Sequence, residues 1–229
     1  MPADRVTGAV GSRVIEVGAG PPIRDVSVQQ ASDDPDLANA SGWNCRVHVE
    51  YEATPAVDWY VPSGTAVYAT MDGDAVLIAN TVANGFDYHA VDREPYIGNP
   101  DRTRAPLDPF PGPGGGMGIY VAVAGEEFRT DYGHLQIDPT LAAIPDEAFV
   151  APYGRSFDYA SAFSTPAPLA FGVQVARWPV RKGDVIGYTG DSGYSEAPHL
   201  HYVITRRPTG ERLCPTGEAG FDDGGWLMR

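Results

Sequence analysis

Positive charge is scarce in this chain. Of its 229 residues only 16 are Lys or Arg against 30 Asp or Glu, a formal net charge of −14, and Lys182 is the single lysine. Such a surface lacks the positive field that nucleic acid or an anionic membrane demands of a partner. Long apolar runs are missing too. No stretch approaches the roughly 20 residues needed to span a bilayer, and residues 1–20 lack the basic start and apolar run of a secretory signal, so export would use another route or a leader already removed. Cysteine is limited to Cys45 and Cys214, without the C-x-x-C spacing of a zinc module or dithiol motif. The two either bridge in an oxidising compartment or pack as free thiols. There is no repeat at a solenoid period and no low-complexity tail.

What is present suits one sizeable, mainly antiparallel β domain with loop insertions. Residues 1–42 read as an N-terminal arm with one strand at 13–17, and 43–229 as the domain. Residues 45–51 and 57–61 are β-branched or aromatic and read as strands, followed by a turn at Pro62-Ser63-Gly64 and a strand over 65–70. Asp72-Gly73 is a two-residue turn signal leading into 75–79, so this part reads as a meander. Prolines and glycines break up residues 86–117, giving a first insertion. Strands resume at 118–123 and return through a hairpin at Ala124-Gly125 into Phe128 to Leu135. A second insertion spans 136–175, with one short helix near 139–149 that Asp138 caps. Its aromatic residues Tyr153, Phe157, Tyr159 and Phe163 are expected to pack the loop onto the β domain.

The chemistry-bearing residues cluster in three segments. In Pro198-His199-Leu200-His201-Tyr202 the two histidines stand at i and i+2, roughly 7 Å apart on one face of a strand. One can hold a metal while the other serves the chemistry beside it. Upstream lie Thr130-Asp131-Tyr132-Gly133-His134-Leu135 and the segment 57–69 carrying Asp58. Taken together and in this order, the three segments resemble the lysostaphin/LytM-type zinc metallopeptidases over roughly residues 55–83, 118–135 and 178–205. The resemblance implies a two-sheet antiparallel fold, a duplicated hybrid-motif β-sandwich, and one Zn2+. Asp58 and His201 would be metal ligands, and His134 and His199 would flank the zinc-bound water as general base and transition-state stabiliser. It also implies cleavage of cross-bridge or stem peptides of bacterial peptidoglycan, outside the cell or in its envelope.

That assignment is sound chemistry: imidazole and carboxylate suit Zn2+, and a catalytic site keeps three protein ligands with a fourth position open. The pattern breaks at one place. The family's first ligand is a His four residues before the Asp, and here that position is Thr54, whose hydroxyl is a poor zinc ligand. Glu52 can replace it if 52–54 is a continuous strand, since it would share the face of Thr54 about 7 Å away. His48 lies roughly 20 Å from Thr54 along an extended strand and can replace it only if the chain folds back before Pro55. His89 would have to swing in from the first insertion. Otherwise the ligand is lost, and the chain is a metal-poor module that binds wall peptide or a partner hydrolase. A third reading is a hydrolase of another peptide, its access narrowed by the insertions.

Overall fold

The computed structural model describes residues 6–10, 13–17, 21–24, 44–52, 54–82, 116–164, 172–193, 195 and 197–228. His89 and nearly all of the expected first insertion lie outside the described residues. So does most of the arm, apart from residues 21–24 and a hairpin of β1 (Val6–Val10) and β2 (Arg13–Val17).

The main body is a seven-stranded antiparallel sheet. It comprises β3 (Val57–Tyr60), β5 (Gly73–Ala79), β6 (Ile119–Ala124), β7 (Phe128–Gly133), β8 (Val173–Val180), β10 (His199–Arg206) and β11 (Glu211–Leu213). The path runs β11-β10-β7-β6-β5-β8, and β3 also pairs with β10. Thus β10 shares one edge between two short strands, β3 along His199 to Tyr202 and β11 along Ile204 to Arg206. The β6–β7 hairpin falls at Gly125, as the sequence predicts.

Strands in the middle of the sheet are covered on both faces, and β6 is buried at every position, which is why Ile119 to Ala124 is apolar throughout. One face carries Tyr202, Tyr132, Val121 and Leu77 in register. These pack into a single core with Val67, Leu135, Leu141 and Ile186. The hydroxyls of Tyr132 and Tyr202 are satisfied: Thr70 Oγ1 lies 2.9 Å from Tyr132 Oη and 2.8 Å from Tyr202 Oη, so burial leaves neither of these two unpaired.

Two expectations fail on strands. The meander does not form, because both edges of β5 are taken by β6 and β8. The short strand β4 (Ala66–Tyr68) pairs instead with β9 (Val185–Tyr188) in a separate two-stranded sheet. Residues 45–51 are no strand either; they belong to helix α1 (Cys45–Glu52). Asn44 is its start signal: the side-chain oxygen accepts the Val47 N–H at 3.0 Å, an N-cap that the alternation of Val47 and Val49 disguises.

In the second insertion the helix is shifted. Helix α2 spans Ile137–Ala143 and is preceded by Gln136, so Asp138 lies inside the first turn, where its charge suits the helix dipole, rather than capping it. It stops before Pro145, as a residue preceding proline disfavours helical backbone. A 3-10 turn at Asp146–Ala148 and a one-turn helix α3 (Tyr159–Ala162) follow. Tyr159 and Phe163 enter the core with Tyr153 and Phe157 against it, as expected of loop aromatics.

Candidate metal and catalytic site

Register builds the site. His201 pairs directly with Asp58 of β3 on one side and with Gly133 of β7 on the other, so the carboxylate and the imidazole meet as cross-strand neighbours. His201 Nδ1 stands 2.9 Å from Asp58 Oδ1. Gly133 leaves room for the ring, since a Cβ there would lie 3.3 Å from the Cβ of His201 and 2.9 Å from the Met117 methyl. His134, one residue beyond the strand, turns back over the site with φ of 60°, the only positive φ among described non-glycine residues. Its ring centroid lies 4.4 Å from that of His199 and 5.7 Å from that of His201.

The third member comes from outside the sheet. Helix α1 folds back before Pro55 and places the buried His48 with Nε2 3.3 Å from Asp58 Oδ1. The ligand atoms of His48, Asp58 and His201 all lie within 4.8 Å of one another. Thr54 lies in the bend returning the chain to β3. Glu52 ends α1, so the continuous strand its candidacy required is absent, and its side chain lies outside the described residues.

The donor set fits a metal ion. A tetrahedral centre with bonds of about 2.1 Å holds its ligand atoms about 3.4 Å apart; His48 and His201 approach Asp58 Oδ1 at 3.3 and 2.9 Å. Two imidazoles and one carboxylate form a set known for zinc. Burial opposes ionisation of Asp58, yet His48, His199 and the His201 hydrogen bond outweigh it and hold its pKa well below the usual carboxylate range. The oxygen is therefore anionic and ready to ligate.

The remaining histidines have fixed orientations. A carbonyl only accepts, so His134 Nδ1–H donates to Ser192 O at 2.8 Å and its Nε2 keeps a lone pair. Burial, reinforced by the neighbouring His199 and His201, pushes the His134 pKa well below its ordinary value. His199 Nδ1–H likewise donates to Ala197 O at 2.8 Å, with Ser195 Oγ at 3.1 Å, and its Nε2 lies 3.7 Å from Asp58 Oδ1. Tyr60 lies against the His199 ring, with centroids 5.3 Å apart.

Ser192 was not visible as a functional residue in the sequence. Its hydroxyl accepts the Ile119 N–H at 2.9 Å and donates to Leu135 O at 2.8 Å, while its carbonyl orients His134. The signal was the glycine beside it: a Cβ on Gly193 would lie 2.5 Å from both Gly116 O and Gly118 N, so two backbones touch there. The structure thus brings Asp58, His134, His199 and His201 together with His48, one of the candidates for the vacated ligand position.

No protein-family model matches the chain, and no curated protein matches it. Among solved structures it is similar to the catalytic domain of the antimicrobial peptidase lysostaphin from Staphylococcus simulans. That match has 18% identity over 70% of this chain and 74% of the other, with a TM-score of 0.33. It is also similar to a putative peptidase M23 from Pseudomonas aeruginosa, with 16% identity over 93% of this chain and 53% of the other, TM-score 0.40. A zinc-containing peptidase from Vibrio cholerae gives 16% identity over 85% and 37%, TM-score 0.38. These are similarities of chain path at low identity; with TM-scores below 0.5 they carry nothing about activity.

Proposed function

We propose that the protein is a zinc-dependent endopeptidase that hydrolyses peptide bonds in bacterial peptidoglycan, with His48, Asp58 and His201 as metal ligands and His134 and His199 as catalytic residues. The observation that carries the reading is the convergence of those ligand atoms within 4.8 Å beneath two further oriented histidines. The alternative, a catalytically inactive domain that binds peptidoglycan or regulates a partner hydrolase, rests on loss of the first ligand; His48 beside Asp58 supports the active reading instead.

Zinc held there would act as a Lewis acid, lowering the pKa of a water toward 7 and polarising the scissile carbonyl. His134 Nε2, kept neutral by burial, accepts the proton of the attacking water as general base. His199 in its doubly protonated form keeps Nδ1–H on Ala197 O and donates Nε2–H to the carbonyl oxygen as negative charge develops there. Ser192 O holds His134 in the tautomer with Nε2 free to accept, and Ala197 O orients the His199 ring through its Nδ1–H.

The peptidoglycan substrate rests on the resemblance of the three motif segments. A cell-envelope or extracellular location agrees with the Cys45–Cys214 disulfide, a bond favoured in oxidising compartments. No described helix is long and apolar enough to cross a membrane. The partner is the wall peptide itself, with no nucleic acid involved.

The test is zinc per chain after dialysis against trace zinc, together with release of new amino termini from purified peptidoglycan. Wild type should hold near one zinc and cleave. His48→Ala and His201→Ala should lose the metal, and His134→Ala should keep it but not cleave. Binding of peptidoglycan without cleavage by zinc-loaded wild type would overturn the proposal.

A further inference from the structure

Helix α1 supplies His48, yet it is only eight residues long, too short to persist in water on its own. Something must hold it against the sheet. Cys45 and His48 stand one helical turn apart on its buried face, and both are essentially inaccessible to solvent, while Arg46, Val49 and Glu50 face outward. Cys45 is bonded to Cys214, with a Cα–Cα distance of 5.8 Å, across 169 residues of sequence. Cys214 directly follows β11, the strand that shares an edge of β10 with β3. The bond therefore fastens α1 to the sheet edge that carries Asp58 and His201. Glu218 assists, its Oε1 accepting the Cys45 N–H at 2.9 Å and the Thr216 hydroxyl at 3.0 Å.

We infer that Cys45 and Cys214 are positioning residues for the metal site: their disulfide makes His48 a ligand, so the site is complete only in the oxidised chain. This rests on the reading of His48 as a ligand. Ligand constellations must be held to within about 0.5 Å, and α1 has no strand register to do this, unlike Asp58 and His201. The consequence is a hydrolase that matures on oxidation. A disulfide donor exchanges with the two thiols, forming the Cys45–Cys214 bond and releasing two equivalents of reduced donor thiol. Until then the chain lacks a full metal set and leaves peptide substrates uncut.

The test is a double-mutant cycle on zinc affinity, measured by competition with a chromophoric chelator on the full chain. It compares wild type, Cys45→Ala/Cys214→Ala, His48→Ala and the triple variant. Removing the disulfide should weaken zinc binding by about 10- to 100-fold, the usual cost of losing support for a ligand, and to the level of His48→Ala. The triple variant should bind no more weakly than His48→Ala, because the disulfide acts through that ring. A merely structural brace would add its loss on top, and that outcome overturns the inference. So does wild-type affinity in Cys45→Ala/Cys214→Ala while His48→Ala is weak. Wild-type affinity in His48→Ala would instead sink the underlying ligand reading.

Should the cysteine variant fail to fold, wild type alone gives the reciprocal measurement. If the disulfide favours zinc, zinc favours the disulfide by the same factor. Equilibrated in a glutathione buffer at fixed free zinc and read by alkylation and mass, the bond should be at least tenfold harder to reduce than without zinc, about 30 mV. An unchanged ratio overturns the inference.

Discussion

Ser192→Ala isolates the support of the general base from the metal site. The serine is buried, and its hydroxyl is the partner of two backbone groups, Ile119 N–H at 2.9 Å and Leu135 O at 2.8 Å. Alanine fits the space but leaves both groups unpaired where water does not reach, since Ile119 and Leu135 are fully buried. Each orphaned group costs about 1–3 kcal/mol, so the variant should lose about 2–6 kcal/mol of stability. For a domain of this size that is roughly 4–24 °C in Tm. Urea unfolding of the metal-free chain reads the first quantity directly. Ser192 touches none of His48, Asp58 or His201, so zinc affinity should stay at the wild-type value. The Ser192 carbonyl that orients His134 survives the substitution, but the turn holding it loses both hydroxyl anchors, so kcat should fall with little change in zinc content. A stability loss under about 0.5 kcal/mol, the range of an ordinary surface change, would refute the account of the turn. Lost zinc would refute the separation of the two halves of the site.

The pH dependence of the metal-free chain and a buried ion pair supply two further tests. Burial and neighbouring histidines hold the folded pKa of His134 well below its unfolded value of about 6.5. Between those values the unfolded chain binds more protons, so its contribution is intact above pH ~6.5 and is lost as pH falls toward the folded pKa. His134→Asn, which tolerates a φ of 60°, should flatten the fall in stability just below pH ~6.5 in denaturant titrations; an unchanged slope would contradict the assignment. On the opposite face of β7 from the core, Arg129 Nε and Nη2 each donate to Asp131 Oδ1 at 2.7 Å. Asp131→Leu alone removes the carboxylate from the buried guanidinium, leaving it Tyr120 as a neutral partner, and should cost about 3–5 kcal/mol, whereas Arg129→Met with Asp131→Leu should cost less; the reverse order in urea melts would show that the pair is not the source.

The sheet and most of the site were legible because strands advertise themselves by alternation and punctuation. Residues 57–60, 119–124 and 128–133 carry β-branched or aromatic side chains between turn signals, and His199-Leu-His201 fixes which face its imidazoles share. Pairing partners were less legible. Nothing local in Ala66–Tyr68 says that β9, 117 residues later by its Tyr68–Val185 pairing, is its neighbour. Competition between β6 and β8 for both edges of β5 decides it, and that is a property of the assembled sheet. Ser192 was hidden for a similar reason: a serine in a glycine turn is ordinary until the second backbone lies against it.

His48 turned on one physical quantity, the rise per residue. Extended, the six residues from His48 to Thr54 span roughly 20 Å, which puts the imidazole far from the place vacated by the first ligand. As a helix, His48 to Glu52 advances only about 6 Å, so a bend before Pro55 suffices to bring the ring beside Asp58. Val47 and Val49 argue for a strand, while the Asn44 cap and the spacing of Cys45 and His48 on one face argue for a helix. Intrinsic propensity in so short a segment is too weak to choose between them. The contacts of this segment decide instead: a helix directs both Cys45 toward Cys214 and His48 toward Asp58, and alternation along a strand would send residues three apart to opposite faces. The helical form of this segment, its disulfide and the third imidazole are therefore one structural solution, and the sequence distance between His48 and Asp58 places no limit on their meeting.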